Sequence, residues 1–114
     1  MLVSGNPESY QVHAGYHLYS KAGVAASVLG NHEFDLGLDL LAHAIRKDAA
    51  FPILSANIKP NRQLENVCDP AALFYLKGVR IGIIGLTTPA AAMRSRQGSE
   101  FEIVDPIPVV KRLL

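Results

Sequence analysis

The sequence predicts an α/β domain in which a mostly parallel sheet carries helices on its faces. Short apolar runs without polar alternation, residues 24–29 and 79–86, are typical of strands that are buried on both faces. Amphipathic segments separate such runs, and the clearest is residues 38–49, where Leu38, Leu41, Ala42 and Ile45 recur at helical spacing. Helices that alternate with buried strands pack onto a parallel sheet, so this order of segments predicts the fold class.

The individual elements follow from local signals along the chain. Residues 7–22 are predicted to form a first helix, with Pro7 in its first turn and Gly23 as its stop. One face of this helix contains Val12, Tyr16 and either Tyr19 or Ser20. The remaining predictions are strands at residues 24–29 and 51–58, a helix at 38–49, a hairpin of residues 73–76 and 79–86, loops at 60–70 and 88–99, and a last helix after residue 105.

Length and composition limit both the size of the fold and the possible partners. The 114 residues suffice for one domain with a small core, and 49% of them are hydrophobic. The formal net charge is +1, and neither a basic stripe nor an aromatic platform for nucleic acid is present. No apolar run approaches the length of a membrane span, so we expect neither a nucleic-acid partner nor a membrane span.

Polar residues follow the first predicted strand directly. Asn31, His32, Glu33 and Asp35 come after the apolar run 24–29 and precede the helix at 38–49. Ligands of open α/β sheets bind at the carboxyl ends of strands, so these side chains lie where chemistry is usually done. A simple capped turn is the competing interpretation, because Gly, Asn and Asp are common turn residues.

The residue types in this stretch suit metal and phosphate chemistry. Asn31 offers a carbonyl oxygen, a hard ligand for divalent cations, and His32 can ligate a metal or donate a proton. Asp35 lies three residues after His32 and reaches its ring if the loop forms a helical turn. A carboxylate behind an imidazole fixes its tautomer and favours the charged ring. Glu33 is either a second carboxylate beside the site or a helix-capping residue.

Residues 30–35 with their flanking strand and helix resemble the GNHEFD block of the calcineurin-like metallophosphoesterases. More narrowly, they resemble the branch of 5′-nucleotidases, UDP-sugar hydrolases and cyclic phosphodiesterases. Residues 51–58, 79–89 and 105–114 are similar to later core segments of that branch, in the same order and spacing. The resemblance therefore extends over most of the chain from about residue 22 to residue 114.

This resemblance implies a fold, a reaction and residue roles. The fold would be part of one sheet of a four-layer αββα sandwich, and the reaction would be attack by metal-bound hydroxide on a nucleotide or sugar-nucleotide phosphate ester. Asn31 would ligate one of two bridged divalent metals, with Mn, Mg, Zn, Fe and Co not distinguished. His32 would stabilise the phosphoryl group or protonate the leaving oxygen, and Asp35 would orient and charge His32. No further cofactor is implied.

Several motifs of the resembled family are incomplete in this chain. Its early D-x-H, its G-D and its later G-H-x-H are not found. Residues 4–6 are either the G-D strand with Asn6 in place of the aspartate or loop sequence that follows a missing G-D. We therefore expect residues 1–114 to be one partial metallophosphoesterase domain, inactive on its own, from a larger enzyme. A truncated reading frame, a proteolytic remnant and an artificial boundary would each explain it. Residues 1–3 do not resemble a signal peptide, and the compartment is undetermined, although relatives in this branch are often periplasmic or extracellular.

The other histidines and the cysteine have simpler interpretations. His13 and His17 share a helical face, but no third metal ligand has a suitable spacing, and neighbouring tyrosines predict a packed aromatic surface. His43 is predicted at the solvent edge of its helix, and Cys68 is predicted to be a loop thiol without a catalytic role. None of the four residues therefore enters the predicted site.

Two other functional classes remain open at this point. The chain could be a non-catalytic α/β module that kept the fold and lost the metal site. It could also bind nucleotides, since Gly82 and Gly85 lie in a glycine-containing segment, but they lie inside the strand and form no G-x-G-x-x-G motif. Close packing against a helix is the preferred explanation of both glycines. Because half of a sandwich leaves a sheet face uncovered, we also expect self-association through that face, as dimerisation or aggregation, or else marginal stability.

Overall fold

The computed structural model describes residues 7–94 and 101–114, with side chains described for residues 15–92 and 101–114. Within these residues the fold is α/β, as predicted. The helices are α1 (Pro7–Ala22), α2 (Leu38–Asp48), α3 (Ala90–Arg94) and α4 (Pro106–Leu113), and a 3₁₀ turn spans Asn31–Phe34. The strands are β1 (Ser27–Val28), β2 (Ile53–Leu54), β3 (Ala71–Leu76) and β4 (Val79–Ile84). No helix in these ranges is long and apolar enough to cross a membrane.

The first two strands form a parallel pair, and the last two form the predicted hairpin. β1 pairs with β2 in the register Ser27 to Ile53, and a parallel bridge from Leu54 to Asp69 extends the pairing on the other side of β2. Both strands are much shorter than the predicted ranges 24–29 and 51–58. The ladder stops because the next amide, that of Ala56, donates to the Gly85 carbonyl at 2.7 Å.

The hairpin turn has the geometry that its sequence predicts. Leu76 pairs with Val79, so the loop between β3 and β4 consists of two residues. Lys77 and Gly78 have φ angles of 50° and 80°, which is the left-handed backbone of a type I′ turn. That turn matches the twist of the strands it joins. The hairpin is therefore confirmed, although β3 begins at Ala71, two residues before the predicted start.

The two glycines of β4 and its continuation do not pack against a helix, contrary to the prediction. A Cβ atom at Gly82 would meet nothing within 4 Å. A Cβ atom at Gly85 would overlap the Leu54 side chain and backbone, with its shortest approach to the Leu54 Cβ atom. The contact is therefore between two stretches of extended chain. Gly85 lets the end of the hairpin approach the end of β2 closely.

Helix α2 supplies most of the core beneath the sheet. Leu38, Leu41 and Ile45 are buried at the predicted helical spacing, and they pack with residues from β2 and from the 3₁₀ turn. Helix α1 ends at Ala22, as predicted. It contributes Tyr16 to the core.

On the rest of the inward face of α1, Ser20 and not Tyr19 is the residue that contacts the core side of the helix. Ser20 faces inward, and its hydroxyl lies within hydrogen-bond distance of the carbonyl oxygens of Tyr16 and Asp48, at 2.8 and 2.7 Å, whereas Tyr19 is exposed. The predicted aromatic surface is therefore wrong for Tyr19. The side chains of Val12 and His13 lie outside the described residues, as does any strand before residue 7.

The segment 88–99 was predicted as a loop, but it contains helix α3. The amide of Ala91 donates to the Thr88 carbonyl at 3.0 Å, and three consecutive alanines, strong helix formers, follow Pro89. Residues 95–100 lie outside the described part. Helix α4 begins at Pro106 as predicted, and the Asp105 carboxylate accepts from the Ile107 amide at 2.9 Å.

Candidate functional site

The stretch of residues 30–35, called here the 30–35 turn, follows β1 at the carboxyl end of the parallel pair. Gly30 is extended, with φ −90° and ψ 178°, and the chain then coils into the 3₁₀ turn. The Asp35 amide donates to the His32 carbonyl at 3.2 Å. Phe34 is fully buried and stacks on Phe101 with ring centroids 4.9 Å apart. Because Phe34 anchors the inner side of the turn, the polar residues on either side of it are held near the surface.

His32 and Asp35 form the predicted pair. The His32 Nδ1 atom lies 2.8 Å from an Asp35 carboxylate oxygen, and the two side chains are 76% and 39% exposed. An ionised carboxylate only accepts hydrogen bonds, so Nδ1 is the donor in this contact. The other ring nitrogen, Nε2, then remains to contact a bound group. The predicted contact between Asp35 and the His32 ring, formed through a helical turn, is confirmed.

The other two polar residues of the turn differ in placement. Asn31 opens the 3₁₀ turn and is half-buried. The Glu33 side chain folds back over the chain, with one carboxylate oxygen 3.1 Å from the position of a Cβ atom at Gly30. Helix α2 begins after Gly37, and its acidic first-turn residue is Asp39. Glu33 therefore does not cap α2, but it is the acidic residue in the first turn of the 3₁₀ segment. Both alternatives, a capping residue and a carboxylate beside the site, stay open.

Two groups have raised pKa values, the buried Tyr16 hydroxyl and the half-buried Cys68 thiol. Burial, followed by the charge of Glu33 and by Cys68, raises the pKa of the Tyr16 hydroxyl above its ordinary range. Burial, followed by the charge of Asp69, raises the pKa of the Cys68 thiol to about 12. Both groups are therefore held neutral at physiological pH. A neutral thiol is a poor nucleophile, which agrees with the prediction that Cys68 has no catalytic role.

A buried polar cluster joins the ends of three chain segments next to the turn. Ser55 and Asn57 follow β2, and Thr87 follows β4. The Thr87 hydroxyl donates to the Leu29 carbonyl at 3.0 Å and lies 2.7 Å from the Ser55 hydroxyl oxygen. The Asn57 side-chain Nδ2 group donates to the Thr87 carbonyl at 2.7 Å, and its Oδ1 atom accepts from the Thr87 main-chain N–H at 2.8 Å. The residue that precedes Gly30 is thus tied to this cluster.

Sequence reasoning missed this cluster, although a signal for it was present. Ser55 and Thr87 are polar residues at the carboxyl ends of apolar segments, as Asn31 and His32 are. Asn57 lies two residues after Ser55, at the spacing that places two side chains on one side of an extended chain. Asking which polar residues follow each buried segment would therefore have selected the cluster together with the 30–35 turn.

The described residues do not form a metal site by themselves. No group of three or more His, Cys, Asp or Glu side chains in the described ranges is placed to hold a metal ion. His17 on α1 and His43 on α2 are both exposed, as expected for His43 at a solvent edge. A two-metal centre needs several ligands in addition to Asn31. The fit is therefore partial, since the described residues supply an imidazole–carboxylate pair and the Asn31 amide oxygen as a candidate ligand.

A cavity of about 360 Å³ lies beside the loop after β2 and is separate from the 30–35 turn. None of the predicted site residues lines it. Its charged residues have mixed sign, with Lys59 paired to Glu102 at 2.8 Å. The lining residues are Ser55, Ile58, Lys59, Pro60, Asn61, Arg62, Leu64, Glu65 and Cys68.

Comparison with known proteins finds similar sequences along most of the chain. A 5′-nucleotidase of Vibrio parahaemolyticus is 46% identical over 74 residues, which are 64% of this chain and 13% of that protein. A snake venom 5′-nucleotidase of Naja atra is 34% identical over 100 residues, which are 84% of this chain and 19% of that protein. The chain thus spans less than a fifth of the length of these relatives. No protein-family model matches it.

Solved structures agree with the sequence comparison. The 5′-nucleotidase precursor of Thermus thermophilus superimposes with a TM-score of 0.81 at 31% sequence identity. The match covers 93% of this chain and 22% of that structure. The arrangement of α1, the parallel pair, the 30–35 turn and the hairpin is therefore that of one part of a larger fold.

Proposed function

Because this chain belongs to the 5′-nucleotidase branch of the calcineurin-like metallophosphoesterases, we propose that the full-length protein containing it hydrolyses nucleotide or sugar-nucleotide phosphate esters. The observation that carries the proposal is the His32–Asp35 pair, 2.8 Å apart on an exposed turn at the carboxyl end of β1. An imidazole held by a carboxylate, with its second nitrogen facing solvent, suits contact with a phosphate group.

Each polar residue of the turn has a distinct role in this proposal. Asp35 fixes the His32 ring through Nδ1, so that Nε2 faces the phosphoryl oxygen or the leaving oxygen of the ester. A hydrogen-bond donor that is already in place stabilises the charge that develops there during reaction. The Asn31 amide oxygen is the proposed ligand for a divalent ion, and two such ions would supply an activated water and charge neutralisation.

We propose that the 114-residue chain is inactive when isolated and is only part of a metallophosphoesterase domain. Asn31 supplies too few ligands, because a neutral amide cannot hold two dications about 3.5–4 Å apart. The remaining carboxylate and imidazole ligands would come from segments equivalent to the D-x-H, G-D and G-H-x-H motifs. In this proposal the metal dependence belongs to the full-length protein.

The full-length protein is tested with nucleoside monophosphates and sugar nucleotides, with and without a chelator. Chelation should abolish phosphate release, and added Mn or Mg should restore it. Activity that survives chelation, or no release from any ester with metal supplied, contradicts the proposed function.

Variants of the full-length protein separate the two roles within the turn. His32→Ala should lower kcat by about a hundred- to a thousandfold while the bound metal is retained. Asn31→Ala should first lower the metal content. His43→Ala is the matched control, since this exposed histidine on α2 lies outside the turn and its loss should change neither quantity. Equal metal loss in the His32 and Asn31 variants would refute the division of roles.

The isolated chain is tested by calorimetry with Mn and by phosphate release from AMP. We expect no tight pair of metal sites and no release above the level of the His32→Ala variant of the same chain. Two tight sites, or metal-dependent release by the chain alone, would show that its residues complete a centre without other segments.

The alternative is a non-catalytic α/β module that kept this fold and lost the chemistry. The observation in its favour is the lack of a three-residue metal cluster in the described ranges. The reading frame on both sides of the chain discriminates between the two, because D-x-H and G-D upstream with G-H-x-H downstream would decide for the enzyme.

We also propose that the isolated chain self-associates through the β3–β4 hairpin. Its two faces expose Leu73, Tyr75, Leu76 and Val79, which form an apolar surface that the described residues leave uncovered. Apolar surface of this kind favours association between copies.

A further inference from the structure

We propose that Thr87 is a positioning residue for the 30–35 turn, because its buried hydroxyl holds the carbonyl of Leu29, the residue directly before Gly30. Its relevance to catalysis rests on the proposed function. The geometric claim is independent of it: loss of this hydroxyl should change the state of the His32–Asp35 pair.

The hydrogen-bond pattern of the parallel β1–β2 ladder breaks directly before the turn. The Leu29 amide donates to the Leu54 carbonyl at 3.2 Å, so the next bond of a regular ladder would run from the Ala56 amide back to the Leu29 carbonyl. The Ala56 amide instead donates to the Gly85 carbonyl at 2.7 Å. Within the described residues, the Leu29 carbonyl therefore lacks the main-chain donor of a regular ladder at the point where β1 passes into the turn.

The Thr87 hydroxyl supplies the missing donor. A threonine hydroxyl has one proton, and that proton lies in the bond to the Leu29 carbonyl at 3.0 Å. In the 2.7 Å contact between the two hydroxyls, Ser55 is therefore the donor and Thr87 the acceptor. The bonds thus run in one direction, from Ser55 through Thr87 to the main chain before the turn.

Asn57 fixes the main chain of Thr87 independently of Ser55. Its amide oxygen accepts from the Thr87 amide, and its Nδ2 group donates to the Thr87 carbonyl at 2.7 Å and to the Val104 carbonyl at 2.9 Å. Asn57 holds both the N–H and the C=O group of Thr87, so the backbone from which the Thr87 side chain extends is fixed. A buried carbonyl that loses its partner is costly, so the 30–35 turn should shift when the hydroxyl is removed.

The state of His32 is read from the ¹⁵N and ¹³C shifts of its ring in the full 114-residue chain. Asp35→Asn provides the reference for a disrupted His32–Asp35 pair. Thr87→Val keeps the side-chain shape and removes the donor, so the His32 ring shifts should move in the same direction as in Asp35→Asn. Thr87→Ser keeps the hydroxyl and should restore the wild-type shifts.

Ser55→Ala is the matched control, since it removes the other hydroxyl of the cluster and leaves the Thr87 bond to Leu29 in place. Its His32 shifts should stay at the wild-type position. Circular dichroism establishes that each variant is folded. If Thr87→Val does not fold, Thr87→Cys replaces it, because a thiol of similar size is only a weak donor.

Wild-type His32 shifts in folded Thr87→Val, or identical shifts in Thr87→Cys and Thr87→Ser when Thr87→Val is unfolded, would overturn the proposal. Equal displacement in Ser55→Ala and Thr87→Val would also overturn it, because the cluster would then act only through general packing. None of these measurements uses activity. Failure of the phosphoesterase proposal is therefore distinguishable from failure of this one.

Discussion

The apolar side chain of the 30–35 turn is buried, whereas several apolar side chains of the β3–β4 hairpin are exposed. Phe34 of the turn and Leu38 and Leu41 of the following helix are fully buried within the described residues. Tyr75 of the hairpin is 73% exposed, and its neighbours Leu76 and Val79 are also exposed. The turn is therefore anchored in the core, whereas the hairpin has apolar residues on both faces that the described residues leave largely exposed.

This difference separates contacts that are local in sequence from those that are not, such as the stacking of Phe34 on the distant Phe101. The His32–Asp35 contact spans three residues, and its anchor Phe34 lies between them in sequence. The hairpin contacts the rest of the described chain mainly where Gly85 meets Leu54. Substitutions in the two regions should consequently have very different effects on the free energy of unfolding.

The largest effect is expected for Phe34→Ala in the isolated chain. Removing a fully buried ring that stacks on Phe101 should lower the free energy of unfolding by about 3–5 kcal/mol. Tyr75→Ala, on the exposed hairpin, should change it by less than about 0.5 kcal/mol. Urea denaturation of both variants measures the comparison, and similar losses would mean that the hairpin is as well packed as the turn.

A smaller but still large effect is expected for Gly85→Ala. The new methyl group would overlap Leu54, so the free energy of unfolding should fall by about 1–3 kcal/mol, the usual cost of overpacking. Gly82→Ala is the control on the same hairpin, because a methyl group there meets nothing within 4 Å. It should be neutral or slightly stabilising, since it restricts the unfolded chain. Thermal unfolding of the pair tests this, and equal losses would exclude a specific contact at Gly85.

The next largest effect is expected for a substitution on the hairpin surface, which should lower self-association and leave the free energy of unfolding nearly unchanged. Leu76→Lys places a charge on the exposed apolar surface, so sedimentation at increasing concentration should detect less self-association than in the wild type. Glu65→Lys, an exposed change on the loop after β2, adds a cation away from the hairpin and serves as the control. Unchanged association of Leu76→Lys would contradict a role of the hairpin surface.

The smallest expected effect concerns pH and Cys68. The pKa of this thiol is raised from 9.0 to about 12 in the folded chain, so above pH 9 the unfolded state releases the proton while the folded state keeps it. The unfolded state then binds fewer protons, and stability must fall as pH rises. The loss should be on the order of 1 kcal/mol between pH 9 and pH 10. Comparison with Cys68→Ala isolates the contribution of the thiol. If the free energies of unfolding of the two proteins fall in parallel with pH, the raised pKa of Cys68 is refuted.

Much of the fold could be predicted because its signals are local. Pro7 and Gly23 mark the limits of α1, Lys77-Gly78 specifies the hairpin turn, and the three-residue spacing of His32 and Asp35 predicts their contact. Helix α3 was missed because a five-residue helix has too few positions for a periodic pattern. Membership in the 5′-nucleotidase branch could also be predicted from the sequence, because the six residues 30–35 resemble a block of that family.

The features that sequence reasoning missed depend on where distant segments meet. Gly85 was expected to pack against a helix, but the end of β2 lies there, thirty-one residues earlier in the chain. Thr87 and Leu29 are separated by 58 positions, and no local pattern indicates that a hydroxyl from one will replace a main-chain donor for the other. Their importance follows from the interruption of the β1–β2 ladder, which only the folded arrangement reveals.

That interruption has a consequence for how the turn can change over evolutionary time. A main-chain donor is the same whatever residue carries it, so a regular ladder cannot be adjusted by point mutation without disturbing the strand. Here the Leu29 carbonyl depends on a side chain, and a single nucleotide change in the codon for Thr87 can retain, weaken or remove the donor. Position 87 is therefore a natural target for saturation mutagenesis in a search for variants with altered turn geometry.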